Sequence, residues 1–173
     1  DWFAQVGNEV NLAHQAVAIT DLSSFGKIDV YGPEATLFLN RICTNDMTRA
    51  PGHVIYSLML NKAGGITSDL TIMRLSETYY RLFVGTAALK RDLAWLWHHL
   101  NGENVTINDV TENYATLGVM GPKTPQLGTA IGAEWLTQIG SFKHQSGMIE
   151  RIEVIAARLS YIGEAGWEIS CAA

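Results

Sequence analysis

Apolar and polar positions repeat along this chain with two distinct periods. Phe3, Val6 and Val10 recur at the helical interval and predict a helix over about residues 3–14. Residues 16–20 read as a short strand. Over residues 26–31 the period shortens to two: Ile28 and Val30 share one face, while Lys27, Asp29 and Tyr31 share the other. Gly32-Pro33 ends that strand and opens a helix, with Pro33 suited to the first helical position and Ala35, Leu37, Phe38, Leu39 and Ile42 forming its apolar face.

Strands follow at residues 53–60 and 66–75, separated by Asn61-Lys62-Ala63-Gly64-Gly65, a hairpin connection in which paired glycines permit positive φ. Residues 79–84 make the next strand. Residues 87–100 predict an amphipathic helix, with Leu89, Leu93, Leu96 and Trp97 apolar and Lys90, Arg91 and Asp92 polar. Strands are expected at 105–110 and 114–119, after which Gly121-Pro122 opens another helix. Val119-Met120-Gly121-Pro122 echoes Val30-Tyr31-Gly32-Pro33, which hints at two related strand–helix units. Residues 140–173 read mostly as strand, with long runs through 149–161. Helices and strands mix without a regular βαβ rhythm, so the expected fold class is α+β with mixed, mostly antiparallel sheets and flanking helices. The expected organisation is one domain, or two interlocked subdomains at about 1–50 plus 110–173 and 51–109.

Composition narrows the function. Of the 173 residues, 47% are hydrophobic and 17% charged, enough apolar material for a substantial core, including Phe38, Leu93, Trp95 and Trp97. The net charge is 12 − 17 = −5 with no basic cluster, which argues against nucleic acid as a partner. No apolar run reaches membrane-spanning length. Cys43 and Cys171 lie far apart, and the histidines lack ligand spacing, so no metal site is expected and a reducing compartment is: the cytoplasm, or the mitochondrial matrix in a eukaryote. Starting at Asp1 without a signal segment and stopping at Ala173 in mid-strand, the sequence reads as a piece of a longer protein. Its final strand, from Trp167 to Cys171, is expected to present an edge and promote self-association.

Three segments suggest chemistry. In the hairpin from Tyr56 to Leu70, glycines allow close backbone approach to a ligand, and Asp69 stands in an otherwise apolar strand. The alternative is that Asp69 caps a turn or pairs with Arg74 or Arg81. In the segment from Arg158 to Glu168, a flat heterocycle could stack on Tyr161 or Trp167 while Glu164 or Glu168 accepts from ring N–H and amino donors. The alternative there is a glycine-bent hairpin with surface glutamates and a core tryptophan. The segment from Asp21 to Lys27 reads equally as a ligand-facing loop or a polar turn.

Taken in order, these segments resemble a known family. Asp21-Leu22-Ser23-Ser24-Phe25-Gly26-Lys27-Ile28, Val30-Tyr31-Gly32-Pro33-Glu34-Ala35 and Asn45-Asp46 are similar to the opening of the glycine-cleavage T-protein (aminomethyltransferase) family. The Leu60-Asn61, Gly64-Gly65-Ile66 and Asp69-Leu70 series resembles its central signature, and residues 161–168 its later glycine–glutamate signature. Ser23-Ser24-Phe25-Gly26-Lys27, Ser68-Asp69-Leu70-Thr71 and Gly166-Trp167-Glu168 are closest in wording to the folate domains of dimethylglycine and sarcosine dehydrogenases.

The resemblance implies the aminomethyltransferase folate-binding fold, cut before its C-terminal β-barrel. It also implies tetrahydrofolate as cofactor, a methylated amine or aminomethyl donor as co-substrate, and FAD only in a preceding domain. By position, Asp69 matches the acidic residue beside the reacting folate nitrogens, and Tyr56, Tyr161 and Glu168 match residues that hold the pterin. Val84 ends the strand before a further folate contact, where Gly85-Thr86 departs from the family's Asn-Ala. Other readings within the fold are a non-catalytic regulatory module, a folate-dependent iron–sulfur assembly factor and a sulfonium demethylase.

Overall fold

The computed structural model describes residues 2–173. In chain order its regular elements are α1 (Trp2–Gln15), β1 (Ala18–Asp21), β2 (Gly26–Tyr31), α2 (Ala35–Ile42), β3 (Val54–Leu60), β4 (Ile66–Ser76), β5 (Tyr79–Val84), α3 (Leu89–His98), β6 (Thr106–Asp109), β7 (Tyr114–Met120), α4 (Thr124–Ala130), β8 (His144–Ile149), β9 (Ile152–Ala157) and β10 (Gly166–Ala172). The strands form two five-stranded sheets, and every pairing among the described residues is antiparallel. This is the expected α+β class. The chain divides into a continuous unit, residues 24–112, and a discontinuous one that ends at Ser23 and resumes at Asn113.

In the continuous unit the strand order is β3-β4-β5-β2-β6. Alternation sends Ile28, Val30, Ile55, Met59, Ile72, Tyr80, Leu82 and Val84 to one face, where Phe38 and Leu39 of α2 and Leu93 and Leu96 of α3 complete the core. A buried hydrogen bond adds to this packing: Ser68 Oγ of β4 donates to Asp92 Oδ2 of α3 at 2.6 Å. Asp92, expected on the polar face of its helix, is therefore buried, whereas Trp97, on the rim of the apolar stripe, is 54% exposed.

The opposite face of this sheet departs from simple alternation. Lys27 and Asp29 are buried, not solvated. Antiparallel register sets Asp29 across from Arg81, and the guanidinium grips the carboxylate through Nε–Oδ1 at 2.7 Å and Nη2–Oδ2 at 2.9 Å. The Tyr79 hydroxyl donates to the same carboxylate.

The discontinuous unit has the order β1-β7-β10-β9-β8. The expected final strand forms as β10 but is not an edge: β7 and β9 flank it, and β1 and β8 are the edges. Reading the end of a chain as the edge of a sheet fails because β7 pairs with a strand that comes much later in sequence. The long strand expected through residues 149–161 is interrupted twice. Glu150, at φ 51°, turns β8 into β9, and residues 158–165 form a loop.

Pro33 precedes α2 instead of opening it. Gly32 O accepts from the Ala35 N–H at 3.0 Å, so Pro33 sits inside a turn whose φ it presets.

Candidate functional site

The glycine hairpin organises the first cluster. Asn61 Oδ1 accepts from the N–H groups of Ala63 and Gly65, each at 2.9 Å, and Gly64 adopts φ 80°. This closes the loop between β3 and β4 and fixes their register, with Leu58 opposite Asp69 and Tyr56 opposite Thr71. Asp69 and Tyr56 are therefore diagonal neighbours on one face, a spacing at which such side chains meet. Both are exposed.

Asp69 does not pair with either arginine that sequence offered it. Arg74 donates to the carbonyls of Thr48, Arg49 and Glu77 and to the Glu77 carboxylate, while Arg81 is taken by Asp29. Among the described residues the Asp69 carboxylate has no hydrogen bond or ion pair. Val84, at the end of β5, turns its side chain into the core, so what it can offer a ligand is main chain.

The second cluster lies in the discontinuous unit. The Tyr161 hydroxyl donates to Glu168 Oε1 at 2.5 Å, joining an exposed ring to a buried carboxylate. Glu168 stands in the middle of β10 with the small residues Gly118 and Ala157 across from it. Leu22 fills the room that Gly118 provides: a Cβ there would lie 2.9 Å from Leu22 Cδ1. Trp167 points the other way. It is buried, its Nε1 donates to the Leu136 carbonyl at 3.0 Å, and it belongs to the core, so it offers no stacking face. Glu164 contacts His14 at 3.4 Å on the surface.

Of the residues proposed from sequence, the hairpin unites Tyr56 with Asp69, and β10 with its preceding loop unites Tyr161 with Glu168. The segment from Asp21 to Lys27 is a hydrogen-bonded turn: Asp21 Oδ1 accepts from the Ser23 N–H at 2.9 Å, and Lys27 Nζ donates to the Phe25 carbonyl at 3.1 Å. Asp46 is likewise held in a turn, where the hydroxyl and N–H of Thr48 keep its carboxyl below the usual range.

Sequence reading missed the Asp29–Arg81–Tyr79 network. Its only signal was a charged residue at alternating positions of two apolar strands, and the pairing needs the register. Burial, together with the neighbouring Asp29 carboxylate, pushes the Tyr79 phenol up to about 12. Burial also pushes the Cys43 thiol up to about 12, against the opposing pull of the Ser57 hydroxyl, so Cys43 is a core residue and not a nucleophile. No cluster of metal-ligating side chains occurs among the described residues, and no helix among them is long and apolar enough to cross a membrane.

Comparison with known proteins places these features in context. The GCVT N-terminal domain model matches residues 1–173. The aminomethyltransferase of Thermotoga maritima is 28% identical over 169 residues, covering 97% of this chain and 46% of that relative. The aminomethyltransferase of Caldanaerobacter subterraneus subsp. tengcongensis is 31% identical, with 96% and 45% covered. The chain thus spans about half the length of the curated relatives it matches. Among solved structures, glycine cleavage system aminomethyltransferase T from Bartonella henselae superposes with a TM-score of 0.85 at 24% identity, covering 95% of this chain and 44% of that one. A heterotetrameric sarcosine oxidase from Corynebacterium sp. U-96 superposes at 0.67 and 18% identity, covering 98% and 84%. At these identities the two structures establish a shared fold.

Proposed function

Because the chain belongs to the GCVT N-terminal domain family, we propose that it is the folate-binding part of a longer aminomethyltransferase-type enzyme that delivers one-carbon units to tetrahydrofolate. The observation that carries this reading is Asp69. Its carboxylate is exposed beside Tyr56 at the glycine hairpin, and the arginines that would make it a structural ion pair are engaged elsewhere.

The residues fit the group. A pterin presents a flat ring bearing N–H and amino donors, and Glu168 is a buried carboxylate acceptor whose position Tyr161 fixes. Tyr161 in one unit and Tyr56 in the other each carry an exposed ring of the kind that stacks on a flat heterocycle. Tetrahydrofolate, when bound, supplies the nucleophilic nitrogen that accepts the one-carbon unit. Asp69 takes the proton that this nitrogen loses and stabilises positive charge near it, since an unpaired carboxylate is a competent base and counter-ion. Glu168 and Tyr161 orient, and take no part in proton transfer. The wording of residues 23–27 and 166–168 favours, within this reading, a parent of the dimethylglycine- or sarcosine-dehydrogenase type, whose FAD would reside in another domain.

The test uses the longer parent polypeptide. Asp69→Asn should lower formation of one-carbon-loaded folate by about a hundredfold or more while folate affinity, by calorimetry, stays within about twofold. Glu168→Gln should instead weaken folate binding by about tenfold or more, the loss of a charge-assisted contact. Unchanged turnover in Asp69→Asn would overturn the catalytic assignment and leave a folate-binding regulatory or assembly module. Unchanged affinity in Glu168→Gln would remove Glu168 from the folate site.

A further inference from the structure

The two sheets can be laid on one another strand for strand. The series β2, α2, β3, β4, β5 runs β2-β5-β4-β3 across its sheet, and the series β7, α4, β8, β9, β10 runs β7-β10-β9-β8 across the other. The edge beside the first strand of each series is held by β6 in one sheet and β1 in the other.

The registers agree as well. With Val30 set on Val119, Ile107 falls on Ile19, Tyr80 on Trp167, and Leu82 on Ile169. The turns that follow are alike: Gly32 has φ 137° and Gly121 φ 139°, and an added Cβ would lie 2.4 Å from the carbonyl oxygen of Asn104 in the first case and of Ala16 in the second. The echo in sequence is thus a repeat in structure.

The repeat is complete in one unit and incomplete in the other. In residues 24–112 two helices cover the apolar face: α2 after β2, and α3 after β5, lying against β2 and β6. Beneath α3, Ile28 is 0% and Ile107 8% exposed. In the discontinuous unit α4 holds the place of α2, and none of the described residues holds the place of α3. The counterparts Leu117 and Ile19 are 44% and 63% exposed. They line an apolar cavity of about 560 Å³ with Ile149, Ile152, Val154 and Ile169.

We propose that this groove is the docking surface for an amphipathic α-helix with a leucine-type apolar stripe, seated as α3 is seated, and supplied by the part of the parent polypeptide outside residues 1–173. The length is available, because the chain covers only 46% of a relative such as the Thermotoga maritima aminomethyltransferase. Leu93 and Leu96 of α3 show which side chains suit such a face.

The helix α1 does not fill the place. It precedes β1 as α3 precedes β6, yet it continues to Gln15, directly before Ala16, against which the Gly121 turn sits. The corresponding stretch after α3 is the loop 99–105, which gives that helix room to fold back across its strands. None of the α1 residues is buried, and none lines the groove.

Cys171 lines the groove and is a free thiol, while the other thiol, Cys43, is buried in the other unit. The experiment compares maleimide labelling of Cys171 in residues 1–173 and in the full-length parent, read by peptide mass. The expected result is ready labelling in 1–173 and at least tenfold slower labelling in the parent. Leu117→Asp should restore fast labelling and lower the urea midpoint of the parent, while leaving the midpoint of 1–173 nearly unchanged. Equal labelling rates in both proteins would overturn the proposal. Slow labelling already in 1–173 would also overturn it: rescue on dilution would mean that a second copy fills the groove, and rescue on deletion of residues 2–12 would mean that α1 does.

Discussion

Asp29 and Glu168 show how differently one kind of side chain can be used when buried. Asp29 is held by a bidentate arginine and a tyrosine hydroxyl, an arrangement that offsets desolvation within the protein. Glu168 sits between small cross-strand neighbours with one oxygen accepting from the Tyr161 hydroxyl, and the proposed function assigns this carboxylate to the pterin.

The same burial governs behaviour in alkali. Cys43, raised from 9.0 to about 12, and Tyr79, raised from 10.0 to about 12, both keep their protons in the folded state at pH values where the unfolded chain loses them. Their folded-state values lie above the unfolded ones. The stability tied to their protonated forms is therefore fully present below about pH 9 and is lost as pH rises towards 12. Urea midpoints should fall between about pH 9 and pH 11. Cys43→Ala should flatten the part beginning near pH 9, and Tyr79→Phe the part above pH 10. A wild-type midpoint constant up to pH 11 would contradict the burial argument.

Turns set the elements in place, and their glycines are not equivalent. Gly64 has φ 80° but open space around its Cβ position, whereas Gly32 and Gly121 combine φ near 138° with a carbonyl oxygen 2.4 Å away. Alanine at Gly64 costs only the left-handed conformation, roughly 1–2 kcal/mol. At Gly32 or Gly121 the chain must also move, so each should cost more than Gly64→Ala, about 3 kcal/mol or above. Denaturant unfolding of the three variants checks the order. Similar costs at all three positions would show that the Gly-Pro turns yield more easily than their geometry suggests. The helix start at Ala35 follows from the same turn, because Pro33 is consumed in it and cannot be the first helical residue.

The two units differ in how thoroughly each buries its apolar face, and this difference should be visible in the whole chain. The unit of residues 24–112 has helices on its core face, while the other leaves Ile19, Leu117 and Ile152 exposed. Local stability follows apolar burial. In residues 1–173, amides of β2, β4 and β5 should therefore exchange with deuterium more slowly than those of β1, β8 and β9, by about tenfold or more. Uniform protection across both sheets would mean that the chain opens as one cooperative unit, and that the open groove does not weaken its sheet.

What sequence alone determined was local. The hairpin over residues 61–65, the strand at Gly26–Tyr31 and the helix around Leu93 were legible because each depends on neighbours within a few residues: alternation, helical spacing and the φ that glycine permits. The pairing of Asp29 with Arg81, the burial of Asp92 under Ser68, the interior position of β10 and the choice of Trp167 for the core and Glu168 for the other face were not legible. Each depends on which distant strand lies alongside and in what register, and a shift of one residue exchanges the two faces of a strand. Asp69 falls between these cases. Its place in the hairpin was readable from the glycines that precede it, but its freedom from Arg74 and Arg81 was decided only when tertiary contacts assigned Arg74 to the carbonyls of Thr48 and Arg49 and Arg81 to Asp29.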